Sequence, residues 1–127
     1  MREEYNVQIV ESTKELTARE RIKMKDLSKA IPLDETVTPE SPLVIAPADY
    51  AVLGVHNEKA DEKDYTKFLI LDREGNTYVT GSQSFFNSFS DIFTEMREAN
   101  ETDYEIEIFK KESTNYKGKH FLTCSIV

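Results

Sequence analysis

Rings and cations interleave along this chain: Tyr65 with Lys67, Tyr78, Tyr104, Phe109 with Lys110 and Lys111, and Tyr116 with Lys117 and Lys119. Such a set can hold a single-stranded polynucleotide, because base faces stack on aromatic rings at about 1 to 3 kcal/mol each while ammonium groups follow the phosphates. Tyrosine and phenylalanine are also ordinary strand residues, so most of these rings are equally explained by packing. Tyr116 is the exception, since it sits in the polar stretch 113–119, where a core role is hard to arrange. The candidate binding residues are therefore Tyr116 with Lys110, Lys111, Lys117 and Lys119 around it, and Tyr65, Lys67 and Tyr78 on a separate ribbon.

Other chemistries find little support. Gly54, Gly75, Gly81 and Gly118 are isolated, so no phosphate-cradling loop exists. Cys124 alternates with Leu122 and Ile126, which points it to the core as a small apolar residue rather than a nucleophile. His56 ends a strand pattern and His120 starts one, and neither has a specified partner for base catalysis. One cysteine and two histidines are too few for a Cys/His metal site, and the acids between Asp34 and Glu62 lack calcium-loop spacing. The sequence thus predicts a binding protein with no catalytic residue, no metal and no cofactor.

Charge is segregated. The net charge is −8, yet Lys14–Asp26 holds five basic residues against three acids, Leu33–Lys63 holds seven acids against two lysines, and the last ribbon turns basic again. A solvated face is the commoner meaning of any one cluster. No apolar run approaches a membrane span and the first residues have no apolar signal core, so a cytosolic location is expected.

The elements that would carry these residues read as mainly β. Tyr65–Leu71 and Thr77–Thr80 form a ribbon about a turn at Asp72-Arg73-Glu74-Gly75-Asn76. From Ser84 to Ala99, the residues Phe85, Phe86, Phe89, Ile92, Phe93 and Met96 fall on one helical stripe. Tyr104–Lys110 and Phe121–Val127 form the last ribbon, while Leu43–Ile45 and Tyr50–Val55 are strand segments broken at Pro47. The span 14–29 fits helix and strand equally, and Pro32–Pro42 reads as a long loop. Residues 1–12 read as a mobile arm or an edge strand, leaving 13–127 as a single domain. Five or so strands and one amphipathic helix predict an OB-like, partly open five-stranded Greek-key barrel, with an α+β sandwich as the alternative.

Particular stretches also look familiar. Lys14-Glu15-Leu16-Thr17-Ala18-Arg19-Glu20-Arg21, His56-Asn57-Glu58-Lys59, Tyr78-Val79-Thr80-Gly81-Ser82 before Ser84-Phe85, the run Lys110 to Lys119, and Phe121-Leu122-Thr123-Cys124 together resemble small single-stranded-DNA-binding proteins of bacteriophages and conjugative plasmids from Gram-positive bacteria. The resemblance spans most of the chain from Lys14 onward. It implies an OB fold, sequence-tolerant coating of single-stranded DNA in replication or transfer, and a homo-oligomer or cooperative filament on DNA. Unlike the cellular proteins with a flexible acidic tail, this chain carries its acids in the body of the domain, and no tail-mediated recruitment is expected. The competing expectation is an acidic mobile-element protein that binds a host protein as a DNA mimic, motivated by the acids from Asp34 to Glu62.

Overall fold

The computed structural model describes residues 5–112 and 118–127, and among them eight strands and three α-helices are formed. The class is mainly β with one long helix, arranged as two sheets with no closed barrel. No helix among the described residues is long and apolar enough to cross a membrane.

The expected ribbon forms β5 (Asp64–Asp72) and β6 (Thr77–Thr80), and Asp72 locks their turn. Its Oδ1 accepts the backbone N–H groups of Glu74 (3.0 Å) and Asn76 (2.8 Å), and its Oδ2 accepts the Asn76 amide (3.1 Å) and the Tyr78 hydroxyl (3.0 Å). Gly75 takes the left-handed φ of 95° that the turn requires. Burial alone would raise the Asp72 carboxyl pKa, but these donors outweigh it and hold the pKa below the ordinary aspartate value.

The larger sheet runs β1 (Tyr5–Ser12), β4 (Pro47–Asn57), β5, β6 and the parallel two-residue β2 (Ile31–Pro32). Of the two readings for the first residues, Tyr5–Ser12 is an edge strand, with a register shift between Ile9 and Glu11 that kinks the open edge. One face of this sheet buries Val7, Ala51, Leu53, Val55 and Leu69 against Met24 of α1 (Ala18–Lys25). The segment 14–29, open between helix and strand in the sequence, is thus helical at its centre. Thr17 and Glu20 cap it reciprocally, and a 3₁₀ turn, Leu27–Lys29, follows.

Two sequence expectations are corrected. Residues 32–42 are not a plain loop, because α2 (Leu33–Thr36) drives Leu33 and Val37 into the core, both with no exposure. Pro47 does not merely interrupt strands: it opens β4 where the chain leaves β3 (Leu43–Ile45) and crosses from one sheet to the other.

The second sheet runs β3, β7 (Ile106–Glu112) and β8 (His120–Ile126). Between the sheets lies α3 (Gln83–Glu98), started by the Ser82 hydroxyl accepting the Phe85 N–H and ended by Asn100 at φ 60° with the Glu101 N–H closing onto the Met96 carbonyl. Its buried Phe85, Phe89 and Phe93 join Ile70 and Tyr78 of one sheet to Ile106, Ile108, Leu122 and Cys124 of the other. Tyr50 meets Phe86, Phe89 and Phe93 edge-on at 5.2–5.8 Å, and Phe68 stacks on Phe86 at 4.1 Å. Phe89→Ala should therefore destabilise the domain by about 3 to 5 kcal/mol, read as a lowered urea midpoint, while Phe86→Leu, which keeps apolar volume, should cost less than half of that.

Candidate nucleic-acid interface

The sequence-predicted residues separate between the sheets. Tyr65 and Lys67 lie on β5, whereas Lys110 and Lys111 lie on β7 and Lys119 immediately precedes β8. Tyr116 and Lys117, the centre of the expected site, lie outside the described residues.

Tyr78 is withdrawn from the set. It is 5% exposed and spends its hydroxyl on Asp72, and burial followed by that bond pushes its phenol pKa to about 12. A ring packed between a sheet and α3 has no free face for a base. Tyr65 is half-buried, and the Lys67 ammonium stands 5.9 Å from its ring centroid on the same sheet face. This cation–π contact gives Lys67 a partner within the fold.

Alternation on the β7–β8 ribbon decides the other lysines. Ile106, Ile108, Leu122 and Cys124 point into the core, so Glu107, Phe109, Lys111, Phe121 and Ser125 line the opposite face, while Thr123 reaches the edge and shares a hydrogen bond of 3.2 Å with Ser88 of α3. Lys110 shares the inward register and turns its ammonium to the Asp34 carbonyl at 2.7 Å, tying β7 to α2. Lys111 instead is exposed, and its cross-strand partner is Phe121. Phe121 is 37% exposed, Phe109 beside it is half-buried, and Val44 of β3 extends the same face with 49% exposure. Lys119 is exposed at the ribbon end, where the Glu112 carboxylate accepts the Gly118 N–H at 3.0 Å. The open edge of β8 is covered by α3, whose Ser84 hydroxyl donates to the Leu122 carbonyl at 3.1 Å.

The structure thus brings together two residues that the sequence reading separated: Lys111, which was in the set, and Phe121, which was not. The signal was present, since Leu122 and Cys124 facing the core force Phe121 outward. Cys124 is buried, and burial raises its thiol pKa to about 12, consistent with packing rather than nucleophilic chemistry. Among the described residues no group of three or more His, Cys, Asp and Glu side chains is arranged to hold a metal ion.

His56 lies between two carboxylates, with Nδ1 2.7 Å from Asp64 and Nε2 2.6 Å from Glu58, which also pairs with Lys63 at 3.2 Å. The bonds to Asp64 and then Glu58 raise its pKa above the ordinary 6.5. Comparison with protein families, with curated proteins and with solved structures finds no match to this chain. The functional reading therefore rests on residues and geometry.

A histidine whose folded pKa is raised stabilises the fold fully below its unfolded pKa, and that contribution is lost as pH rises through the folded value. The imidazole resonances of His56 should accordingly titrate above 6.5, and replacing Asp64 and Glu58 by their amides should return the midpoint toward the ordinary value. A midpoint below the ordinary value in the parent would contradict the paired geometry.

Proposed function

We propose that this chain binds single-stranded DNA with little base preference on the outer face of the β3–β7–β8 sheet. The observation that carries the reading is the exposed Phe121 ring directly across the ladder from the exposed Lys111, with Phe109 alongside and Lys119 at the ribbon end. A base laid on Phe121 places its phosphates beside these two ammonium groups. Single strands are held by this pairing of ring and charge without base-edge readout. With the resemblance to phage and plasmid proteins, the reading puts the chain in mobile-element DNA replication or transfer, in the cytoplasm of the host cell.

The acidic total charge sets the expected strength. Glu107 lies on the same sheet face, so phosphates are favoured only toward the lysine end, and binding should be weak, salt-sensitive and helped by cooperativity between copies on one strand. The DNA-mimic alternative is less well supported. Asp34 accepts the Thr80 hydroxyl at 2.8 Å, Asp49 accepts that of Thr13 at 3.0 Å and Glu58 is paired with His56 and Lys63, so three of the seven acids serve the fold, which leaves Glu35, Glu40, Asp61 and Glu62 exposed.

Fluorescence anisotropy with a labelled oligonucleotide tests the proposal. Phe121→Ala should weaken single-strand binding by about 1 to 3 kcal/mol with a melting temperature close to the parent's. Replacing Lys111 and Lys119 together by Ala should lower low-salt affinity and flatten the slope of log K against log salt, by about 0.7 for each phosphate no longer neutralised. Equal affinity for duplex and single strands, or unchanged binding by the Phe121 variant, would overturn the assignment.

A further inference from the structure

A cleft of about 380 Å³ opens at the C-terminal end of α3, lined by Arg73, Arg97, Phe93, Tyr104 and Asp49 among others. Its two arginines come from unconnected elements. Arg73 belongs to the β5–β6 turn and is held by its N–H bonding the Ala46 carbonyl at 2.9 Å, whereas Arg97 stands in the last turn of α3. Among the described residues the one carboxylate within 4 Å of either guanidinium is that of Asp103, at 3.7 Å from Arg73, and its side chain is fully exposed. In a chain of net charge −8, two arginines with so little internal pairing line this one cleft.

The rest of the lining narrows the ligand. The half-buried Tyr104 provides an aromatic wall, backed by the edge of the core residue Phe93. Asp49 is fixed in place: its Oδ1 accepts the Thr13 hydroxyl at 3.0 Å, and the Thr13 oxygen in turn accepts the Tyr50 N–H at 2.9 Å. Asp49 also lines the cleft, and its Oδ2 makes no hydrogen bond among the described residues. Glu101 adds a second carboxylate, so a bare polyanion is disfavoured and a ligand with both an anionic end and a donor end is favoured. A volume near the lower end of the usual range for small-molecule sites suits one nucleotide and not a folded partner.

We propose that this cleft is a mononucleotide site, in which Arg73 and Arg97 take the phosphate, the base lies against Tyr104, and Asp49 accepts from an exocyclic amino group. Arginine suits the phosphate through its fork of donors, and a carboxylate accepting from the cytosine amine is an established base contact. The site is separate from the β3–β7–β8 face and does not depend on the single-strand reading. It favours cytosine over thymine, which presents a carbonyl where cytosine presents the amine.

Calorimetric titration of the full chain at low salt with dCMP, dTMP and inorganic phosphate provides the test. dCMP should bind saturably at one site per chain, dTMP more weakly and phosphate alone weakest. Arg73→Gln and Arg97→Gln should each lower dCMP affinity at least about tenfold, the scale of removing one bidentate pair, without lowering the melting temperature. Asp49→Asn, which keeps an acceptor for Thr13, should abolish the preference for dCMP over dTMP. No saturable dCMP binding, equal binding of phosphate alone, or parental affinity in both arginine variants would overturn the proposal. Phe121→Ala should leave dCMP affinity unchanged; a fall would mean that the two surfaces act as one site and would overturn the separate cleft, whereas failure of single-strand binding alone would leave it standing.

Discussion

The phenylalanine stripe of α3 is the constraint on which the architecture depends. A helix with Phe85, Phe86, Phe89 and Phe93 on one side must bury that side, and here residues of both sheets meet it. The chain answers with two sheets. Tyr50, Phe68 and Ile70 meet the stripe from the larger one, and Ile106, Ile108, Leu122 and Cys124 from the smaller one. The crossing at Pro47 follows from this: β3 and β4 are adjacent in sequence but must belong to opposite walls of the same core.

Polar chemistry serves that arrangement at the points where backbone would otherwise go unpaired. Asp72 gathers four donors in the β5–β6 turn and holds Tyr78 in the core. Ser84 satisfies a carbonyl on the free edge of β8, and Lys110 satisfies that of Asp34 in the single turn of α2. No buried side-chain nitrogen or oxygen among the described residues is without a partner. Much of the charge that looks functional in the sequence is thereby absorbed by the fold, which is why only part of the interleaved ring-and-lysine pattern remains available to a ligand.

What remains is set by register. In a two-sided strand a side chain is either packed or presented, and moving one position along reverses the choice. Lys110 and Lys111 are neighbours in sequence with opposite fates: one ties β7 to α2, the other stands in solvent across from Phe121. Tyr78 and Tyr65 divide in the same way on the larger sheet, the first buried against α3 and the second half-buried against the Met24 side of the sheet with Lys67 beside its ring.

Local signals alone determined the mainly β class, the β5–β6 ribbon with its turn, the extent of α3 to within a residue or two, and the burial of Cys124. Each is written in periodicity or turn chemistry within a short window, where neighbouring residues specify one another. The sequence left the segment 14–29 open because a short, charge-rich helix has almost no apolar stripe; Met24 alone is buried, and only packing against the first sheet selects the helix. It misread residues 32–42 because prolines and acids mask the two positions, Leu33 and Val37, that enter the core from a distant surface. The candidate surfaces were decided later still. The outward placing of Phe121 was readable in the alternation of the last ribbon, but Arg73 and Arg97 line one cleft only through helix placement between residues far apart in the chain, and no local pattern encodes a relation of that range.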